Sequence, residues 1–235
     1  MSKLKVDLHA HTAEDPYEYI KYGARQLIDR ASQVGIDALA ITNHNTVTYN
    51  TELAGYAEKK GILLIPGMEA VLSGKHVLII NPDFRTIPLD RPLKDLAKIK
   101  NEKNLIIAPH PFFPNSKSLK SNLFSYLHFF DAIEFCHFYN HLIDCNKKAV
   151  RAAEQYKKPQ IGTSDCHNIW QLGTTYSLVE AEKNIPSIIK AIKKGKIEIH
   201  TTPVSLFTMA RVAVNFFLFK RLKALCRHKI QGGYK

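Results

Sequence analysis

The chain has 235 residues, 45% of them hydrophobic and 23% charged, with 33 Lys and Arg against 21 Asp and Glu, a net charge of +12. These are the values of a globular protein long enough to bury its own core, and they exclude a collagen-like, coiled-coil or wholly disordered chain. The positive balance favours encounter with anionic substrates or polyanions without choosing between them.

In chain order, short apolar runs alternate with longer amphipathic ones. A strand is predicted over Lys5–His9, followed by a helix over Tyr17–Val34. In that helix Ala24, Leu27, Ile28, Ala31 and Val34 keep the spacing of three and four that makes one apolar stripe, and Gly35 supplies the stop. A strand over Ala38–Thr42 leads to a helix over Thr51–Lys60, closed by Gly61. Strands over Leu63–Pro66 and His76–Ile80 precede a helix over Leu93–Glu102. Strands over Leu105–Ala108 and Ala132–Phe135 follow, then a helix over Ile143–Lys157, strands over Gln160–Thr163 and Tyr176–Val179, and a helix over Pro186–Lys194.

This alternation predicts an α/β fold with a largely parallel sheet. Its seven or eight units fit a small, distorted, TIM-like (β/α) barrel better than an open sheet, as one domain over residues 1–200. Residues 201–235 form a C-terminal helical extension in this reading. Leu206, Met209, Ala213, Phe216 and Phe217 trace an apolar helix face, and Lys220, Arg221, Lys223, Arg227 and Lys229 make the distal end basic. Such a helix packs on the barrel, joins a second copy in a homo-oligomer, or lies on a membrane surface. No apolar run reaches the length of a membrane span. The start MSKLKVDLHAHT lacks a signal-like apolar stretch, and Cys136, Cys145, Cys166 and Cys226 show no CxxC spacing. A cytoplasmic protein with reduced thiols is the expectation.

The chemistry concentrates at strand ends. In VDLHAHT, strand alternation puts Asp7, His9 and His11 on one face, so both imidazoles can reach one ion while Asp7 orients a ligand from behind. His44 follows the second strand and Glu69 the third, His76 opens HVLII, His110 follows LIIA, and Asp165 and His167 repeat the one-apart spacing after a late strand. In a (β/α) barrel the C-terminal strand ends converge on the face where active sites are built. Several such ends, each offering His, Asp or Glu, predict a clustered metal site. The donor set suits Zn, Mn, Fe or Ni, and more than four candidates argue for more than one ion.

The ordered motifs DLHAHT, ITNHNT, PGMEA, APHP, DAIEF and GTSDCH resemble those of the PHP (polymerase and histidinol phosphatase) metal-dependent phosphoesterases, over residues 4–200. The resemblance implies a distorted (β/α)7 barrel and a metal centre, usually a trinuclear metal site, that would hold two to three divalent ions here (Mn, Zn or Fe). It assigns His9, His11, Glu69 and Asp165 to the first ion. Glu69 would bridge to a second ion that His76 and His110 also hold. His44 and His167 would hold the third, with an acid from the loop after HAHT. The usual form of that loop is HTxxSDG. Here it reads HTAEDP, which makes Asp15 the candidate, with Glu14 and Glu18 as rivals. Asn43 stands where the family has Asp.

The implied activity is hydrolysis of a phosphomonoester or phosphodiester by a metal-activated hydroxide, with Glu69 and Asp165 acting through the ions. The expected partner is an anionic phosphate ester, with Lys21, Lys75 and Arg85 as candidate clamps. Two alternatives stand beside this: a nuclease on single-stranded or short nucleic acid, for which residues 109–130 supply aromatics and lysines, and a non-catalytic metal-binding regulatory domain. Glu134 and His137 in DAIEFCHFYN read as a structural carboxylate and a loop histidine before they read as site residues. His128, His141, His200 and His228 match no motif and read as surface or packing residues.

Overall fold

The computed structural model describes residues 3–83 and 91–209. Among the described residues nine strands form one sheet: β1 (Lys3–Asp7), β2 (Ala38–Ile41), β3 (Leu63–Leu72), β4 (Lys75–Ile80), β5 (Leu105–Ala108), β6 (Ala132–Cys136), β7 (Gln160–Thr163), β8 (Thr175–Glu180) and β9 (Ile197–Thr201). The helices are α1 (Ala24–Gln33), α2 (Thr51–Lys59), α3 (Leu96–Ile99), α4 (Asn122–Ser125), α5 (Asn146–Gln155) and α6 (Ile185–Lys193). The strand order is β7-β6-β5-β4-β3-β2-β1-β8-β9. The sheet curls until its ends meet. Ser177 Oγ of β8 accepts the Gly162 amide of β7 at 2.9 Å and donates to the Gly162 carbonyl at 3.1 Å. The sheet is thus a nearly closed barrel.

The expected parallel sheet needs a correction. Pairings β1–β2, β2–β3, β5–β6 and β6–β7 are parallel, whereas β4 runs antiparallel to both β3 and β5, and β8 antiparallel to both β1 and β9. The cause lies in the segment LSGK. Ser73 and Gly74 both adopt positive φ (49° and 70°), as a two-residue hairpin turn requires, and they join Leu72 directly to its partner Lys75. β3 therefore runs on past Pro66 into the hairpin. The consequence for the site is direct: β4 starts at the end of the barrel where the parallel strands finish, which brings His76 to the same rim.

Strand alternation sorts the apolar runs into two layers. Ala38, Ala40, Ile65, Leu78, Ile80, Leu105 and Ile107 share one cluster with Ile188, Ile189 and Ile192 of α6. Their neighbours Leu39, Ile41 and Leu64 pack with α1 and α2, and Val77, Ile79 and Ile106 with α3, α4 and α5. Strands buried on both faces explain the near-continuous hydrophobic runs of the sequence. Helix ends follow their signals. Asn50 and Asn184 accept the amides of Leu53 and Ser187 at 2.7 and 2.9 Å as N-caps, while Gly35 and Gly61 end α1 and α2 at φ 72° and 76°.

Helix α1 starts at Ala24, seven residues later than Tyr17, because the residues before it are committed to the site. Asp15 Oδ1 accepts the amides of Tyr17 and Glu18 at 2.8 and 3.2 Å, amides a helix would otherwise use. β9 was not anticipated. Its residues alternate Ile197 and Ile199 with exposed Glu198 and His200, and this one-sided period is the readable signal of an edge strand.

The chain divides into two compact units, Met1–His137 with Cys145–Thr202, and Phe138–Asp144 with the chain from Pro203. In the second unit the Val204 amide donates to the Tyr139 carbonyl at 2.8 Å, and Asn140 Nδ2 lies 3.3 Å from Met209 Sδ. The basic helix expected beyond Met209, with its proposed role in homo-oligomer contact, lies outside the described residues, as do Arg85, Cys226 and His228. Among the described residues no helix is long and apolar enough to cross a membrane, and Cys166 is a free thiol.

Candidate metal centre

The rim described above gathers the candidate ligands around one carboxylate. Glu69, in the middle of β3, is fully buried. Its Oε2 lies 3.0 Å from His44 Nε2, 3.3 Å from His11 Nε2 and 3.5 Å from His9 Nε2. Its Oε1 lies 2.6 Å from His76 Nδ1 and 3.1 Å from His110 Nε2. Asp165 closes the opposite side, with Oδ1 at 3.3 Å from His9 Nε2 and 3.5 Å from His11 Nε2.

Among the described residues three sets of side chains each bring their donor atoms within 4.8 Å of one another: His9, His11 and Asp165; His9, Glu69 and His110; His11, His44 and Glu69. The same geometry tests whether ions fit. Glu69 Oε2 is buried among three imidazole nitrogens, yet no aligned hydrogen bond reaches it. Lone pairs of nitrogen and oxygen aimed at shared points are what a divalent ion satisfies and a hydrogen bond does not. Imidazole with carboxylate suits Zn, Mn or Fe.

Local backbone builds this convergence. Beyond β1 the His11 amide donates to the Cys166 carbonyl at 3.0 Å, so the HAH segment stays aligned with the DCH segment. Asp7 lies behind His9, but it holds backbone rather than an imidazole: Oδ1 accepts the amides of His9 and Ser164 at 3.3 and 3.2 Å. Burial pushes its carboxyl up to about 7, against the pull of the Ser164 hydrogen bonds. Asn43 ties two loops together, accepting the Thr12 amide and donating to the Thr12 and Thr48 hydroxyls, each at 2.8 Å. The two donations need the amide, since a carboxylate in its place could only accept. His110 and Asp165 hold left-handed φ values of 27° and 43°, unusual outside glycine and costly unless the surroundings enforce them.

The loop acids divide their work. Asp15 Oδ2 accepts from His44 N at 2.8 Å and lies 2.8 Å from His44 Nδ1 and 3.1 Å from His11 Nδ1. It thus meets the edges of these rings that face away from Glu69. Glu18 Oε2 sits 2.7 Å from His167 Nε2, where both side chains are partly exposed (40% and 33%) and mark the open lip of the cluster. Glu14 accepts the Ala24 amide at 3.1 Å and belongs to the start of α1. Of the candidate clamps, Lys75 Nζ donates to the Ser116 carbonyl at 2.7 Å, and Lys21 is exposed.

Charge follows the pairing. Burial opposes protonation of His9 and His11, but the carboxylates of Asp165, Glu134, Glu69 and Asp15 outweigh it and raise both well above the ordinary imidazole value. Burial is likewise overcome at His44, raised to about 9 by Glu69 and Asp15, and at His110, raised by Glu69. Glu69 and Asp165 fall well below the carboxylate range despite burial, held there by the surrounding histidines. His76 is lowered, chiefly by burial.

Glu134, which the sequence left open, lies in the cluster. It is fully buried, and its carboxylate reaches His9, His110 and Thr163. Its signal was the alternation of β6, which points Glu134 to the same side as Cys136, itself 4.0 Å from Asp165 Oδ2. His137 is buried and contacts Gln171 Nε2 at 2.5 Å; burial lowers its imidazole to about 4. His128, His141 and His200 are exposed and outside the cluster.

Known proteins resemble this chain in sequence and in fold. The family profile described as PHP-associated matches residues 145–197. The Methanocaldococcus jannaschii protein MJ1587, described as uncharacterized, is 30% identical over 132 residues, which is 52% of this chain and 75% of that protein. DNA polymerase III of the PolC type from Staphylococcus haemolyticus is 34% identical over 95 residues, covering 40% of this chain but only 6% of the polymerase. Among solved structures, the lesion-specific endonuclease Q of Pyrococcus furiosus superposes with a TM-score of 0.62 at 19% identity, over 84% of this chain and 57% of that one. That likeness is one of fold. With the ordered motifs, the PHP-associated match and the barrel all in one chain, the protein belongs to the PHP family.

Proposed function

We propose that the protein hydrolyses phosphate esters, mono- or diesters, at a centre of two to three divalent ions held by the rim cluster. The observation that carries this reading is Glu69, whose two oxygens face five imidazoles on two sides, as a bridging carboxylate does. In this reading His9, His11, Glu69 and Asp165 hold one ion and Glu69, His76 and His110 a second. His44 and His167 take a third, with Asp15 or Glu18 as its acid. Bound divalent ions acidify water toward hydroxide and neutralise charge on phosphate oxygens.

The chain's own residues do the rest. Asp15 sets the tilt of the His11 and His44 rings through their Nδ1 edges, leaving the Nε2 lone pairs toward Glu69. Asp165, Glu18 and His167 form the accessible edge through which an ester enters. The net charge of +12 favours its approach.

The test is release of p-nitrophenol from p-nitrophenyl phosphate and from bis-p-nitrophenyl phosphate, with Mn²⁺, Zn²⁺ or Fe²⁺ supplied. We expect hydrolysis that needs the metal and falls at least about 100-fold in Asp165→Ala, on the scale of losing groups that stabilise transition-state charge. A metal-loaded protein inactive on both esters, or an Asp165→Ala variant as active as the wild type, would overturn the proposal. A second reading, a nuclease, is favoured by the polymerase relative and by the endonuclease Q likeness. It predicts cleavage of single-stranded oligonucleotides, with affinity that falls steeply with salt.

A further inference from the structure

Resting on the proposed metal centre, we infer that Glu134 is a positioning residue that fixes two of its ligand arms from behind, through the His9 imidazole and the His110 backbone. The carboxylate stands fully buried on β6, between the ends of β1, β5 and β7. Its Oε1 accepts His9 Nδ1–H at 2.6 Å and also the Thr163 hydroxyl, and its Oε2 accepts the His110 amide at 2.5 Å.

Each bond has a defined consequence. The first places the imidazole proton of His9 on Nδ1, so the Nε2 lone pair is free toward Asp165 Oδ1 and Glu69 Oε2 at 3.3 and 3.5 Å. The last holds His110 at φ 27°, a backbone state that a β-carbon disfavours, and this state carries its Nε2 to 3.1 Å from Glu69 Oε1. His9 and His110 belong to the two ion positions that share Glu69. One carboxylate outside the ligand set therefore ties both positions to the barrel wall.

The test is Glu134→Gln in the full chain, read by affinity for Mn²⁺ and Zn²⁺ against a competing chelator and by the visible spectrum of the Co²⁺-loaded protein. Gln keeps the size of the side chain but turns one acceptor into a donor, which faces a donor at His9, Thr163 or His110. Metal affinity should fall roughly 10–100-fold, the usual cost of losing such a partner, and the Co²⁺ bands should change because the ligand field has moved. The melting temperature of the chelated protein serves as the folding control.

Wild-type affinity and an unchanged Co²⁺ spectrum in a folded Glu134→Gln protein would overturn the inference, leaving Glu134 a purely structural carboxylate. If that variant does not fold, Thr163→Val removes one donor from the same carboxylate, and its affinity should fall several-fold; no change would again overturn the inference. A wild-type protein that binds none of these ions would instead defeat the metal centre itself.

Discussion

Protons and divalent ions compete for the same nitrogens in this cluster. His9, His11, His44 and His110 are all raised above the ordinary imidazole value, because nearby carboxylates outweigh the burial that opposes their charge. A base whose folded value lies above its unfolded one stabilises the fold fully below the unfolded value and loses that contribution as pH rises through the folded one. For His44 the interval runs from about 6.5, the unfolded value, to about 9. His76 and His137, lowered by burial, act in the opposite sense near the unfolded value, where their unfolded imidazoles are still partly protonated, and the four raised histidines outnumber them.

The chelated protein should therefore lose melting temperature from pH 6.5 to 9, while the stabilisation given by added Zn²⁺ or Mn²⁺ grows over the same range, since ligands bind ions deprotonated. Thermal melts at several pH values, with chelator and with ion, check this; a chelated protein with a flat profile would contradict it. At this scale much was legible in the sequence. The one-apart spacing in HAH and DCH and the strand-end placing of His44 and His110 follow from alternation alone. The division of work between Asp15 and Glu18 was not, because it depends on which way a non-helical loop turns its carboxylates. Glu134 was hidden for another reason: a buried acid on a strand looks the same in sequence whether it meets ligands or merely closes a hydrogen-bond network.

Among the elements, closure of the barrel is the feature that sequence periodicity does not encode. Strand limits for β5 and β7 coincide with the expected ones, since both are short apolar runs between turn residues. The antiparallel course of β4 was written only in the two residues Ser73 and Gly74, and without it His76 sits at the wrong end of its strand. Closure rests on Gly162, where β7 meets β8 and β9. A β-carbon there would lie 2.6 Å from Ile199 Cγ2 and 3.0 Å from the Tyr176 carbonyl. Gly162→Ala should cost about 1–3 kcal/mol, the range for overpacking a tight interior, read as a lower midpoint in urea unfolding. An unchanged midpoint would mean that the two ends of the sheet are not in contact in solution.

For the whole molecule, the fold brings side chains from β3 and β4, and from the segments after β1, β2, β5 and β7, to one rim with Glu69 between them. The same carboxylate offers the most direct test of the account. Chelator-stripped protein is reloaded with Mn²⁺ or Zn²⁺, desalted, and its metal content measured beside that of Glu69→Gln. Two or more equivalents are expected in the wild type and at most one in the variant, because Gln keeps the size of the side chain but cannot bridge two ions as a carboxylate does. A wild type that retains no metal, or a Glu69→Gln protein that retains the full complement, would contradict it.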